Sequence, residues 1–129
     1  MHVEDLRELL ASLPASAEEQ PFGPDVLVYR IGPGGKMFAL FGIDDVPLRV
    51  NLKCDPDRAV ALRDEYPDAV LPGYHMNKKQ WNTVVIEGVP PALFRDLVQH
   101  SWDLIVASLP RRRREAVTGG AGRDRGGRR

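Results

Sequence analysis

The stretch "VLVYRIGPGGKMFALFGIDDVPLRVNLK", residues 26–53, decides the fold. It holds three runs rich in β-branched, aromatic and other apolar residues, at 26–31, 36–43 and 48–53. The turn "GPGG" (32–35) has the glycines that tight hairpins require, and "DDVP" (44–47) reverses the chain again. Because strands joined by short turns pair antiparallel, this stretch predicts the centre of an antiparallel sheet.

The third run alternates between apolar and polar residues, so its two faces differ. One face carries Leu48, Val50 and Leu52, and the other carries Arg49, Asn51 and Lys53. If helices cover the apolar face, the polar residues point to an open face. On a later strand, 81–88, burial of Val84 and Ile86 would bring Trp81 and Thr83 to that same open face. We therefore predict a polar, basic sheet face that carries one tryptophan.

Helices and two further strands surround this centre. Segment 3–13 is amphipathic and stops at Pro14, and a second helix starts after the N-cap Asp55 and stops at Pro67. The remaining elements are strands 69–76 and 81–88 and a core helix at 92–109. Residues 17–25 are predicted to form a loop. The order α-β(3)-α-β(2)-α predicts an α+β two-layer sandwich with an antiparallel five-stranded sheet.

The charge pattern divides the chain at residue 110. Residues 111–129 hold eight arginines against Glu115 and Asp124, a net charge of +6, so residues 1–110 carry −6. We predict one folded domain over 1–110 and a disordered Arg/Gly-rich basic tail over 111–129, since the tail has little apolar surface to bury. The tail is either a non-specific anchor for polyanions or a solubilising terminus.

Composition narrows the function classes. Cys54 is the only cysteine, so no internal disulfide can form. No apolar run is long enough for a membrane span, and "MHVEDLRELL" lacks the basic start of a secretory signal. His2, His75 and His100 lack ligand spacing. We expect a cytoplasmic protein with no membrane contact, metal or cofactor.

Four blocks occur in order: "PFGPD", "GKMFAL", "PLRVNLKCDPDRA" and "YPDAVLPGYHMNKKQWNTV". Together they resemble the MmcQ/YjbR family of small bacterial proteins over roughly residues 17–110. The resemblance implies the same α-β(3)-α-β(2)-α fold, similar to secretion chaperones and frataxin-like proteins. It also implies DNA binding, and it supplies no catalytic residues. The arginine tail lies outside the shared region.

The candidate nucleic-acid contact lies on the open face and its rim. Its residues are Arg49, Asn51, Lys53, Lys78, Lys79 and Trp81. Lysines and arginine would neutralise phosphates, the asparagine could meet a base edge, and an exposed indole could stack on an unpaired base. The alternative interpretation places Trp81 in the core and the two lysines in a solvated turn.

Other functions stay open. Tyr74, His75, Asn77 and Asn82 could line a small-molecule pocket, and Cys54 with His75 could form an enzyme site, although we expect no enzyme. A chaperone-like open sheet could bind a peptide or protein instead. The glycine-rich "GPGGK" (32–36) lacks the strand-loop-helix setting of a phosphate loop and is predicted to be a hairpin turn.

Overall fold

A computed structural model describes residues 1–73 and 76–126, and the side chains of this part through residue 119. The described chain folds into α-helices packed on one antiparallel sheet. The elements are α1 (Val3–Ala11), β1 (Ser16–Glu19), β2 (Val26–Ile31), β3 (Met37–Gly42), β4 (Arg49–Lys53), α2 (Pro56–Glu65), β5 (Val70–Pro72), β6 (Trp81–Val85), a 3₁₀ turn (Ile86–Gly88), α3 (Pro91–Ala107) and α4 (Arg111–Gly126).

The strand order is β1-β2-β3-β4-β6-β5, and every neighbouring pair is antiparallel. The predicted α+β class and antiparallel sheet are confirmed. The predicted count of five strands is wrong, because Ser16–Glu19 adds a sixth strand beside β2. This strand lacks β-branched and aromatic residues. It is held instead by Tyr29, whose hydroxyl donates to Glu18, and by Arg30, which donates to Glu19 at 2.8 Å.

The hydrophobic core lies between the sheet and helices α1, α2 and α3. Its fully buried side chains include Leu6, Leu10, Phe38, Phe41 and Phe94. A register shift beside Tyr29 places both Phe38 and Ala39 in this core, although they are adjacent along the strand. From α3, the Ser101 hydroxyl donates to the Phe38 carbonyl and accepts from the Lys53 N–H at 2.9 Å, which fixes α3 on the middle strands.

Two predicted strands are shorter than expected. Strand 69–76 is reduced to Val70–Pro72, and strand 81–88 ends at Val85 and continues as the 3₁₀ turn. Proline explains the first case, since its nitrogen has no hydrogen to donate to the sheet. In the second, the Ile86 N–H still reaches the carbonyl of Leu48 at 3.1 Å before the chain turns toward α3.

The segment after residue 110 differs from the sequence-based expectation. Disorder was predicted for 111–129; the structure gives Arg111–Gly126 as α4, and residues 127–129 lie outside the described residues. Val117 packs against the core cluster, Arg111 pairs with Glu115 at 3.1 Å, and the Arg114 N–H donates to the Pro110 carbonyl. The single apolar contact of Val117 and these local bonds support the first turns of a helix that its composition alone would not.

Candidate functional site

The pairing of β4 with β6 fixes which side chains share the open face. Three cross-strand pairs are Arg49 with Val85, Asn51 with Thr83, and Lys53 with Trp81. Residues directly opposite one another in an antiparallel pair project from the same face. Their neighbours Val50, Leu52 and Val84 are in the core beneath the helices. Arg49 and Trp81 therefore lie on the same face of the sheet, opposite the core cluster, as the alternation predicts.

Trp81 lies on this open face but offers little surface. It is 8% exposed, and the core cluster of described residues beneath the helices does not include it. The chain at Gly73 passes so close that a β-carbon there would lie 3.1 Å from the Trp81 β-carbon. Trp81 is thus a buried residue that lies outside the cluster beneath the helices, and the stacking surface that it offers a base is small.

The centre of the open face is more apolar than predicted. Val28 is fully buried without belonging to the core cluster, and it lies opposite Leu40, which in turn lies opposite Asn51. Strands β2 and β3 carry apolar residues on both sides, so they present an apolar strip next to the polar side chains of β4. Besides Arg30 of β2, which pairs with Glu19 at 2.8 Å, the basic side chains of the face lie on β4 and its rim.

The three polar residues of β4 differ in their partners. Arg49 lies 3.7 Å from the carboxylate of Asp45, and both side chains are 40% exposed. Asn51 accepts from the Thr83 hydroxyl at 2.6 Å through its amide oxygen, which orients the amide. Lys53 is half-buried and, in the described part of the chain, its ammonium makes no ion pair. Lys53 is therefore the cation of this face most available to a phosphate.

The rim of the face is a turn built around Asn77. Its amide oxygen accepts from the Lys79 N–H at 3.0 Å, and its carbonyl accepts from Gln80 and Trp81. Lys78 and Lys79 are both exposed on this turn. Asn77 thus shapes the turn that presents the two lysines.

Arg63 of α2 holds this rim turn from behind. Its guanidinium donates to the Asn82 amide oxygen at 2.7 Å, to the Trp81 carbonyl at 3.4 Å and to the Lys78 carbonyl. Asn82 is 2% exposed, and its amide nitrogen also reaches the carbonyl of Ala59. Sequence reasoning missed Arg63. Its position four residues after Ala59, on the buried side of α2, is the feature that could have revealed it.

Of the four candidate pocket residues, the structure describes Asn77 and Asn82. Tyr74 and His75 lie outside the described residues. Asn77 serves the rim turn, whereas Asn82 faces the helices beside a cavity of about 10 Å³ that it shares with Leu52 and Cys54. Such a cavity has room for about one water molecule. The described pair therefore forms no binding pocket.

Cys54 and His100 lie where the chain passes from β4 to α2. Cys54 is buried, and burial raises the pKa of its thiol, which disfavours the nucleophilic thiolate. The Nε2 atom of His100 accepts from the Asp55 N–H at 3.1 Å, and burial lowers the pKa of this imidazole. In this structure Cys54 packs in the core and His100 supports the start of α2 through its bond to Asp55.

The "GPGGK" segment is the β2–β3 turn, as predicted. The Gly34 N–H donates to the Glu19 carboxylate at 2.8 Å, and the Gly35 N–H donates to the Gly32 carbonyl at 3.0 Å. The bond from the Gly34 N–H, and after it the pairing with Arg30, hold the pKa of Glu19 below its usual range. The N–H groups of Gly34 and Gly35 are thus already bonded to other groups of the protein.

No group of three or more His, Cys, Asp or Glu side chains is placed to hold a metal ion among the residues that the structure describes. In the same residues, no helix combines the length and the apolar character that crossing a bilayer requires.

Comparison with known proteins gives consistent matches. The family model described as YjbR matches residues 11–104. An uncharacterised protein of Escherichia coli O157:H7, YbdF, is 40% identical over 119 residues, covering 91% of this chain and 94% of that protein. The crystal structure of Deinococcus radiodurans DR2400, with the family-model domain DUF419, superposes with a TM-score of 0.85 at 38% identity, covering 91% of this chain and 88% of that one. YyaQ of Bacillus subtilis, also uncharacterised, is 38% identical over 56 residues, covering 43% of this chain and 46% of that protein.

Proposed function

This chain belongs to the YjbR family, and we propose that it is a non-catalytic nucleic-acid-binding protein, of low affinity and low sequence specificity, that acts in the cytoplasm. The observation that carries the proposal is the β4–β6 register. It gathers Arg49, Asn51 and Lys53 with Trp81 on the one sheet face that the core helices leave open. Phosphate, base edge and base ring each find a matching group there.

Phosphate contacts would come from the two ends of β4. Arg49 and Lys53 are four residues apart, which is about 13 Å along a strand. DNA carries one charge per about 3.4 Å of axis on each strand, so the two cations span about four phosphates. Arg49 must share its charge with Asp45, which is one reason to expect weak binding.

Low sequence specificity follows from the small number of base-reading groups. Asn51 is the single base-edge reader of this set, and its amide oxygen already accepts from Thr83, which limits the orientations in which it can meet adenine. Trp81 can add only limited stacking because it is 8% exposed. Binding would depend mainly on charge and therefore on salt.

The test is a salt series with the full-length protein and labelled single- and double-stranded DNA. Lys53→Gln should weaken binding and reduce the slope of log affinity against log salt by about 0.7 for single strands, the value for one phosphate contact. Arg95→Gln, which removes an exposed arginine of α3, is the matched control and should change little. Equal behaviour of the two variants would remove the open face from the proposal.

A second candidate is a peptide- or protein-binding adaptor. It is favoured by the apolar strip of Val28 and Leu40 on the open face, which phosphate binding does not use. Leu40→Glu would abolish binding of such a partner. If the wild-type protein binds neither form of DNA at low salt, this adaptor function becomes the better proposal.

A further inference from the structure

The strands of the sheet run between two ends of the molecule that differ in charge. One end, called here the cationic end, contains the β2–β3 turn (32–36), the end of β4, the rim turn (77–80) and the junction of α3 with α4. Strand pairing places Lys53 beside Trp81 at this end, and Lys36 immediately precedes β3 there. The opposite, acidic end contains the loops 20–25 and 43–48, the segment 64–69 and the 3₁₀ turn.

Helix α4 starts directly at the cationic end. The Lys36 ammonium donates to the Ser108 hydroxyl at 3.1 Å, which joins the β2–β3 turn to the end of α3. One guanidinium nitrogen of Arg113 comes within 3.8 Å of where a β-carbon on Gly32 would stand. The first arginines of α4 are therefore beside the turn and not on a separate tail. The cations of this end are Lys36, Lys53, Lys78, Lys79, Arg111, Arg112 and Arg113.

Most arginines elsewhere are already paired with carboxylates. The ion pairs join Arg7 to Glu4 and Glu18, Arg30 to Glu19, Arg49 to Asp45 and Arg58 to Asp96. At the cationic end, Arg111 pairs with Glu115 at 3.1 Å. Lys36, Lys53, Lys79, Arg112 and Arg113 make no ion pair within residues 1–73 and 76–119. Concentrated, unneutralised positive charge is what a polyanion would require.

More than half of the carboxylates of residues 1–110 lie at the other end. They are Glu4, Asp5, Asp25, Asp44, Asp45, Asp64, Glu65, Asp68 and Glu87. The cationic end holds Asp55 and Asp57 at the start of α2, Glu19 against the Gly34 N–H, and Asp103 and Glu115 beside Arg114. Its excess of positive charge therefore comes from the arginines of α4, which join the lysines there.

We propose that the cationic end receives the phosphate backbone of a nucleic acid, and that Arg112 and Arg113 of α4 bind it together with Lys36 and Lys53. This inference rests on the proposed function and enlarges its surface beyond the open sheet face. Lys53 connects the two parts, because it lies on the open face and at the cationic end at once. The arginines lie outside the region matched by the family model, residues 11–104.

The charge separation also predicts an orientation. Phosphates are repelled by the acidic end and attracted by the opposite one, so the molecule would approach a nucleic acid with its β2–β3 turn leading. A nucleic-acid strand whose phosphates contact the arginines of α4 would next reach Lys53. Its bases would then meet Asn51 and the edge of Trp81.

The experiment compares single-charge variants of the full-length chain by fluorescence anisotropy with a labelled single-stranded oligonucleotide across a salt series. Arg113→Gln and Lys36→Gln remove charges from the cationic end. Arg95→Gln removes an exposed arginine near the acidic end, where it lines a surface cavity with Glu87 and Met1. Arg112→Gln with Arg113→Gln should lower the salt slope by about 1.4, since each single-strand contact contributes about 0.7. Thermal unfolding of each variant checks that the fold is unchanged.

Three results would overturn the inference, and they separate it from the proposed function. If the α4 variants match Arg95→Gln while Lys53→Gln weakens binding, the open face alone binds and α4 takes no part. If the wild-type protein binds no oligonucleotide, both proposals fail. If polyglutamate competes as well as the oligonucleotide at equal charge, the partner is an acidic polypeptide and not a nucleic acid. Selective loss in the α4 and Lys36 variants would support the inference.

Discussion

The cationic and acidic ends of this molecule are built in different ways. The cationic end joins residues from four distant parts of the chain, and side chains hold them together: Lys36 to Ser108, and Arg63 to the rim turn. At the acidic end, the bond between Arg49 and Asp45 is local, four residues apart. The difference teaches that a formal net charge of zero can be the sum of two separated poles. The predictions below test whether the cationic end depends on its long-range contacts.

The largest expected effect comes from the turn of the cationic end. A β-carbon at Gly35 would lie 2.1 Å from the Ile31 carbonyl oxygen, so the backbone of the turn must move in Gly35→Ala. We expect a loss of about 3 kcal/mol in the free energy of unfolding, measured by urea denaturation, and weaker nucleic-acid binding.

Gly34→Ala is the control for this prediction, in the same turn. Gly34 has a φ of 69° and open space around its missing β-carbon, so only the left-handed conformation is penalised, by about 1 kcal/mol. Equal losses in the two variants would show that the close approach to Ile31 is unimportant.

The next largest effect concerns Arg63, which supports the rim turn. Arg63→Met leaves the buried Asn82 oxygen without its guanidinium donor and should cost about 2 kcal/mol, measured by the same denaturation. Because the rim turn loses its anchor, binding of the oligonucleotide should also weaken. Arg95→Met, toward the acidic end, should change neither quantity, and a matching loss there would contradict the difference between the ends.

A smaller, pH-dependent effect should arise from His100. Its neutral Nε2 accepts from the Asp55 N–H, and protonation would remove that acceptor. Burial lowers the pKa of His100 below its ordinary 6.5, with Arg58 adding to the effect, while Asp55, Asp96 and Asp103 oppose it. The unfolded chain therefore binds the proton more readily, and stability should fall as pH decreases from about 6.5 through the folded pKa.

His100→Gln separates this effect from other titrations. Glutamine keeps an oxygen that can accept from Asp55 but does not titrate, so the fall in stability below pH 6.5 should be reduced. Unfolding free energies at pH 7.5, 6.5 and 5.5 provide the measurement. An identical pH profile in the variant would assign the dependence to other groups.

The smallest effect is expected at the acidic end. Asp44 is exposed, and Asp44→Asn would weaken the repulsion of phosphates from that end. The association rate with an oligonucleotide should rise by less than about twofold at low salt and be unchanged at high salt, since exposed charges are screened over about 10 Å. Stopped-flow mixing at the two salt concentrations measures this association rate. A rise of more than about twofold would mean that the acidic end influences binding at the cationic end by more than screened repulsion.

Much of the fold was predictable because local patterns control it. The alternation in residues 48–53 correctly assigned Val50 and Leu52 to the core and Arg49 to the open face. The glycines of 32–35 correctly gave the β2–β3 turn. Strand β1 was missed because "SAEE" has no strand preference of its own, and bonds from Tyr29 and Arg30 decide its conformation.

The candidate site was predictable only in part. The sequence placed Trp81 on the open face, but its 8% exposure depends on the chain passing at Gly73, which no pattern in residues 81–85 reveals. In the same way, the composition of 111–129 predicted disorder, while contact of Val117 with the core accompanies a helix over Arg111–Gly126.

The sequence by itself determined the strands' two faces, the hairpin turn and the division of charge along the chain. The two faces follow from backbone geometry, which repeats every two residues in a strand, so a short window of sequence predicts them. The turn and the charge division follow from the residue types along the chain. Only the tertiary structure decided that Lys36, Lys53, the rim lysines and the arginines of α4 meet at one end. Their meeting depends on strand pairing and helix packing between residues far apart in the chain. The positions of charged residues in the sequence do not predict which of them become neighbours in space.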